Sequence, residues 1–353
     1  MSIYNLNKQE LEEQYAPKYR SKQIYQWLYK KYATCFSQMK NLPAKMLSEL
    51  GDAYKIDSTK VIREEKSADG SIKYLFELHD KHTIETVLIK MKDKKIDEDG
   101  QIIASEKYTI CISSQVGCKI GCTFCSTAKG GFIRNLNTGE IVYQVIAVKK
   151  LNNFPPEKQV NIVFMGMGEP LDNFDNVTKA IEIFKDEDGL AVHPKRITIS
   201  TSGLSTKIEK LGKLDLGVNI TLSLHAVDDE TRTKLIPINK AYNIESVLKS
   251  LMNFPINIRK RLMFEYLVIK DINDDQKSAE KLVKLLNGFK AKVNLILFNP
   301  HEESEFQRPD TLRVQEFRDY LNSKGLLCTI RESKGLDISA ACGQLREKQL
   351  AIS

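Results

Sequence analysis

Apolar residues recur along the chain with two different periods, and the change between them marks where the architecture changes. Over residues 1–70 they fall at helical spacing, which predicts helices at 10–15, 21–32 and 43–50 with turns near Pro17 and Asn41. From residue 72 the period shortens to two, and 74–78 and 83–89 read as strands joined by a polar turn at 79–81. The charged run 90–100 reads as a solvated loop. Strand-like runs then follow at 108–113, 160–165, 196–201, 218–224, 263–269, 293–298 and 327–332. Amphipathic stretches lie between most of them, at 138–150, 176–185, 208–211, 244–253 and 275–286. Parallel neighbours need a long crossover, so this alternation predicts an α/β fold around a parallel sheet. A barrel, complete or open, and a doubly wound sheet fit the pattern equally well. The expected organisation is a helical domain at 1–70, a β-hairpin extension at 71–107, the α/β body at 108–300 and a C-terminal strand, helix and loop at 301–353.

At 353 residues the chain is long enough to bury a sizeable core. Its apolar runs stay below the roughly 18 residues of a membrane span, and the polar N-terminus lacks a secretory h-region, so the cytoplasm is the expected compartment. The formal charge of +7 suits a polyanionic partner without demanding one. Lys18, Arg20, Lys22, Lys30 and Lys31, and the run Arg259-Lys260-Arg261, are the candidate basic surfaces, with plain solvation as the alternative.

Seven cysteines are more informative, because three crowd into Cys118, Cys122 and Cys125, directly after a strand. In a reducing compartment such a C-x3-C-x2-C pattern is a metal site before it is a source of disulfides. Three soft thiolates are one short of a structural zinc site and one short of the usual iron–sulfur set. Two readings follow: an iron–sulfur cluster with one iron open to another ligand, or a zinc knuckle completed by a distant histidine. Gly168 and Glu169 come just after the strand at 160–165, where the glycine lets backbone approach a ligand and the carboxylate is suited to an ammonium group. Cys342 sits in a loop of small residues that leave its thiol accessible. Read singly, Cys111 is a buried, inert strand residue, Glu85 faces solvent from an alternating strand, and Cys35 and Cys328 are packing residues.

Taken together, the motifs closely resemble the RlmN/Cfr family of radical S-adenosylmethionine (SAM) RNA methyltransferases. They are Ser113-Ser114-Gln115-Val116-Gly117-Cys118, Cys122-Thr123-Phe124-Cys125-Ser126-Thr127-Ala128, Met165-Gly166-Met167-Gly168-Glu169-Pro170, Ser200-Thr201-Ser202-Gly203, Ser223-Leu224-His225, Asn299-Pro300 and Ala341-Cys342-Gly343-Gln344-Leu345. Pro170 and the wording around the cysteines resemble the RlmN branch, while 301–310 departs from the family's wording.

The resemblance implies an open (β/α)6 partial barrel with a small N-terminal helical domain and a short β extension. It implies a 4Fe–4S cluster on Cys118, Cys122 and Cys125, whose open iron is chelated by SAM. It makes Gly168, Glu169, Ser200, Ser223, Leu224, His225 and Asn299 the SAM contacts. It reverses three of the single-residue readings: Cys342 becomes the methyl-carrying S-methylcysteine, Cys111 the cysteine that resolves a protein–RNA crosslink through a transient disulfide, and Glu85 the proton acceptor. It further implies two SAM per turnover, methylation of adenine C2 at adenosine 2503 of 23S rRNA and in some members adenosine 37 of tRNA, a flavodoxin- or ferredoxin-type electron donor, and a thiol reductant such as thioredoxin.

Overall fold

A computed structural model describes residues 1–56, 59–93, 95–96, 102–255, 261–300 and 304–345. In chain order its strands are β1 (Lys60–Lys66), β2 (Ile72–Glu77), β3 (Thr83–Lys92), β4 (Lys95–Ile96), β5 (Ile102–Ala104), β6 (Lys107–Cys111) and β7 (Gln115–Gly117). They continue as β8 (Phe132–Asn135), β9 (Asn161–Phe164), β10 (Ile197–Thr201), β11 (Asn219–Ser223), β12 (Leu262–Val268), β13 (Ala291–Leu297) and β14 (Leu327–Arg331). One sheet runs in the order β1-β2-β3-β6-β9-β10-β11-β12-β13-β14. From β6 to β14 every pairing is parallel, and the pairs β1–β2, β2–β3 and β3–β6 are antiparallel.

That order decides between the two architectures. Each parallel strand adds on the same side as the one before, with no reversal. Right-handed crossovers then put the connecting helices on one face, whereas a doubly wound sheet requires a switch in strand order. Six strand–helix units and a last strand make an open (β/α)6 barrel, and β1 and β14 are its two unpaired edges. The loop after β14 bridges those edges. Asp337 accepts from Ser67 Oγ at 2.6 Å and from the Ala68 amide at 2.9 Å, and Asp69 accepts from the Gly335 amide at 2.8 Å.

Covered on both faces, β10 is buried along its whole length and β3 along its first six residues. This corrects the solvent-facing reading of Glu85, which has 0% exposure because β3 is an interior strand. β1 was not expected. It is an edge strand of charged residues (Lys-Val-Ile-Arg-Glu-Glu-Lys), so the apolar alternation that identifies half-buried strands is weak there. The run 90–100, expected as a loop, instead carries β3 on to Lys92 and holds β4, which pairs with β5; the ribbon β7–β8 and the helices Asp229–Leu235 and Thr311–Ser323 were unassigned. The last of these buries only Val314, Phe317 and Leu321, a narrow stripe.

The front domain folds around helices Lys8–Gln14, Tyr19–Tyr25 and Ala44–Ala53, the first started by a reciprocal Asn7–Glu10 capping box. Tyr29 meets Tyr4 edge-on and Tyr25 at a tilt, and Tyr4 also meets Tyr143 of the barrel helix Thr138–Leu151. Lys8 and Lys22 share Asp188 at 2.6 and 2.9 Å, and Lys30 donates to the Glu187 carbonyl at 3.0 Å. Two of the candidate RNA-facing cations, Lys22 and Lys30, are therefore engaged in docking this domain onto the barrel. Lys31 lies over the Trp27 ring at 3.8 Å. Arg259 and Lys260 fall outside the described residues. Cys328 is buried as expected, but Cys35 is exposed just before a 3-10 turn and does not pack.

Candidate active site

The cysteine loop is clamped at its base by the β7–β8 ribbon. Gly117 adopts φ +74°, and a Cβ there would stand 1.9 Å from the Gly131 carbonyl oxygen, so no larger residue fits. The Cys118 amide donates to that carbonyl at 2.8 Å, the Thr123 amide to Leu235 O at 3.0 Å, and the Ser126 amide to Gly343 O at 2.8 Å. Cys118, Cys122 and Cys125 thereby line one cavity of about 150 Å³ at the C-terminal ends of the barrel strands, the end where such folds carry chemistry. A separate apolar cluster including Ile120, Leu235, Ile236, Leu267 and Phe298 supports the loop.

Burial pushes the Cys118 thiol up to about 12 and Cys122 well above the usual range, and the neighbouring thiols add to the rise at both. A cationic metal centre acts in the opposite direction and favours thiolates. A structural zinc site is closed by four protein ligands, and here three thiols line the cavity. A 4Fe–4S cube presents a separate iron to each thiolate and spaces its ligands wider than a single zinc does. Three thiols facing one cavity fit the cube better than zinc.

Across the cavity, Gly168 adopts φ +101° and a Cβ would approach Gln115 Cβ to 2.5 Å. The close approach fixes Glu169. Its amide donates to Gln115 Oε1 at 2.9 Å, its Oε1 accepts from the Leu171 amide at 3.0 Å, and its Oε2 accepts from the Ser202 amide and hydroxyl, both at 2.8 Å. Burial raises the carboxyl's pKa while these donors pull it back. A carboxylate held this way at a cavity wall suits an ammonium group. Ser200 and Ser223 line the same cavity from the ends of β10 and β11.

His225 also lines it, in a left-handed backbone conformation with φ +59°. Its Nδ1 accepts from the Leu267 amide at 3.0 Å, and burial lowers its pKa to about 3. The ring is therefore neutral with its proton on Nε2, leaving a donor free of that contact. Leu224 is buried, with its amide on Glu265 O at 3.0 Å, and Asn299 is held by Ser333 Oγ at 2.9 Å and Arg308 at 2.6 Å. Neither is among the described residues that line the cavity.

Cys342 opens into the cavity from the C-terminal loop and is solvent-exposed. Its surroundings push the thiol's pKa up, an effect that water at the exposed side weakens, and the Arg331 guanidinium pulls it down. Cys111 is buried at the end of β6, and burial, reinforced by Cys342, pushes it up to about 12 against the pull of Arg331. In the β-ladders Cys111 pairs with Val87, Val87 with Lys73, and Leu75 with Glu85. Directly paired residues share a face, as do residues two apart on a strand, so Cys111, Glu85 and Lys73 project to the same side. The Lys73 Nζ reaches the Ile338 carbonyl at 2.7 Å, which puts that side beneath the loop of Cys342.

A family model of the radical SAM superfamily matches residues 112–283, and a model of the ribosomal RNA large subunit methyltransferase N-terminal domain matches 1–56. The dual-specificity RNA methyltransferase RlmN of Wolinella succinogenes is 62% identical over 348 residues, covering 99% of this chain and 97% of its own. That of Aliarcobacter butzleri is 60% identical with the same coverage. The chain belongs to the RlmN family. The crystal structure of a radical SAM methyltransferase from Sphaerobacter thermophilus matches with a TM-score of 0.88 and 37% identity, over 98% of this chain and 99% of that one. Membership carries with it a 4Fe–4S cluster and SAM as cofactors.

Within this RlmN-family site, three charged residues escaped the sequence reading. Arg232 is fully buried and donates to the carbonyls of Ser202 (2.5 Å), Ser223 (3.2 Å) and Leu224 (3.1 Å), cross-bracing the strand ends that face the cofactor cavity. Burial lowers its pKa to about 10. Arg331 pairs with buried Glu265 at 2.8 Å, and Glu265 lines the cavity. No motif surrounds either arginine. A signal existed for Glu265, an acid inside the otherwise apolar strand Leu-Met-Phe-Glu-Tyr-Leu-Val.

Proposed function

We propose that this RlmN-family chain is a cytoplasmic RNA methyltransferase acting on C2 of adenosine 2503 in 23S rRNA and of adenosine 37 in tRNA. One observation carries the reading: Cys342 opens into the cavity lined by Cys118, Cys122 and Cys125. Cys118, Cys122 and Cys125 would hold the cluster. Gly168, Glu169, Ser200, Ser223 and His225 would hold SAM, with Leu224 and Asn299 shaping the ends of their strands.

Cys342 Sγ gives up its proton and takes a methyl group from one SAM by displacement. When bound, the cluster and a second SAM supply one-electron chemistry, which reaches an electrophilic ring carbon that methyl-cation transfer does not. The target base leaves its stack to meet Cys342; the methyl on Cys342 would give up one hydrogen atom, and the adduct one electron, to that one-electron chemistry, so that a carbon–carbon bond joins the RNA to the protein through a thioether. Glu85 accepts the proton from C2. The Cys111 thiolate then attacks Cys342 Sγ: the S–S bond forms, the S–C bond breaks, and its electron pair stays on the methylene carbon, which is protonated to methyl. A dithiol protein of the thioredoxin type returns two electrons to the disulfide, and a flavodoxin- or ferredoxin-type protein supplies the reducing electron.

Anaerobic incubation of the reconstituted enzyme with 23S rRNA fragments or tRNA and labelled SAM, followed by nucleoside mapping, tests this. The expected product is 2-methyladenosine. A product of 8-methyladenosine would refute the C2 assignment, and methylation by Cys342→Ala would refute the carrier.

A further inference from the structure

Glu85 is a buried acid with 0% exposure, and neither carboxylate oxygen has a hydrogen-bond partner among the described residues. What it does have is an ion pair, Lys73 Nζ to Glu85 Oε1 at 3.3 Å, with Oε2 left without a contact of that kind. Lys73 is itself buried, and its ammonium also meets the Ile338 carbonyl at 2.7 Å and Glu65 Oε2 at 3.0 Å. An ammonium has three donors; one is spent on the Ile338 carbonyl, and the two carboxylates stand within ion-pair distance of it.

The arrangement joins two parts of the site that are far apart in sequence. One oxygen belongs to a buried acid on β3. Another belongs to the loop that carries Cys342, already fastened to the β1–β2 turn through Ser67, Ala68 and Asp69. We propose that Lys73 is a positioning residue for the reaction, holding the Glu85 carboxylate ionised and tying it to the loop that carries Cys342. The inference rests on the reading of Glu85 as proton acceptor.

The charge balance around Glu85 makes it testable. The groups facing it are Arg63 and Glu65 from β1, Lys73 from β2 and Cys111 from β6. Burial raises its pKa, Lys73 is the largest opposing influence, Glu65 adds to the rise and Arg63 subtracts. A carboxylate accepts a proton only when ionised, so activity is lost as pH falls through its pKa. Removing Lys73 leaves burial unopposed and moves that acid limb up. Removing the charge of half-buried Glu65 moves it down.

The experiment uses the full-length reconstituted enzyme with Cys111→Ala, in which the crosslink is trapped, and RNA deuterated at adenine C2. Loss of deuterium from the trapped crosslink is followed by mass spectrometry against pH. Lys73→Met should shift the acid limb up by about one pH unit or more, the scale of an opposite charge within ion-pair distance. Lys73→Arg should restore it, and Glu65→Gln, which keeps the side chain's shape and removes its charge, should shift it down by a few tenths of a unit. A Lys73→Met variant that is slower at every pH with an unmoved limb overturns the proposal. So does an upward shift in Glu65→Gln, which also decides the matter should Lys73→Met not fold. Deuterium loss in Glu85→Gln at the parental rate would instead overturn the proton-acceptor reading on which the proposal stands.

Discussion

On the proposed mechanism, in which Cys111 resolves the crosslink, release of the methylated RNA should accelerate steeply with pH, because Cys111 is the more buried thiol of the pair. Burial raises Cys111 from an ordinary 9.0 to about 12, with Cys342 adding to the rise. The charged form of a thiol is the deprotonated one, so a raised pKa leaves less nucleophile at neutral pH. At pH 7 the thiolate fraction is about 10⁻⁵ and at pH 9 about 10⁻³, and the displacement from 9 to 12 opposes ionisation by about 4 kcal/mol. Once Cys342 is a thioether it no longer ionises. Its contribution to the rise then vanishes, and the pull of Arg331 falls on Cys111 undivided. The slope should stay near tenfold per pH unit between 7 and 9, with any plateau at or below about 12. Arg331→Met should slow release about tenfold or more at pH 8, the effect of losing one nearby opposite charge. The assay is a single turnover begun at pH 7, jumped to pH 7–9.5 and quenched in acid. The crosslink appears as a retarded protein–RNA band whose decay gives the rate. A decay rate independent of pH over this range, or decay at the parental rate in Cys111→Ala, would refute the reasoning.

Two further substitutions test the cofactor cavity itself. Gly168→Ala places a Cβ 2.5 Å from Gln115 Cβ at φ +101°; overpacking plus left-handed strain should cost about 2–4 kcal/mol in denaturant unfolding and weaken SAM binding, and an unchanged midpoint would contradict it. Arg232→Met strands the carbonyls of Ser202, Ser223 and Leu224, so destabilisation of about 3–5 kcal/mol is expected by the same measurement, while a loss below 1 kcal/mol would show that those carbonyls find other donors.

The seven parallel strands were legible because each carries a short apolar run bounded by polar turns, and the cysteine loop because its spacing is a chemical pattern. The barrel was not legible from periodicity. Apolar runs record burial but not the order in which strands pair, and the absence of a reversal between β6 and β14 is what settles it. Glu85 shows the limit of alternation: a charged residue within an apolar strand reads as an outward position unless a counter-charge is known, and Lys73 lies on another strand. Arg232 and Arg331 were invisible for the same reason, since their partners are backbone carbonyls and an acid distant in sequence. Lys22 and Lys30, offered as a candidate nucleic-acid surface with plain solvation as the alternative, also have partners inside the fold that periodicity does not show, Asp188 and the Glu187 carbonyl.

With Cys342 as the methyl carrier, as proposed, the open barrel and the placement of that cysteine are one structural solution. A methyl carrier must meet a donor inside the cavity, a bulky RNA base outside it and a resolving thiol in the wall, so it belongs on a segment between inside and outside. A complete barrel offers no such segment, because its last strand pairs with its first. Here the strands stop short, and the loop that bridges β14 to the β1–β2 hairpin is the one that carries Cys342. Its anchors flank the cysteine: Asp337 and the Ile338 carbonyl on one side, and the Gly343 carbonyl, which accepts from Ser126, on the other. Between them run Ser339, Ala340 and Ala341, with left-handed backbone at Ser339 and Gly343. Small side chains bury little area, so holding or shifting this stretch is governed mainly by a handful of hydrogen bonds worth about 1 kcal/mol each. Displacing the carrier from one partner to the next thus costs about as much as breaking one or two anchors, without disturbing a strand.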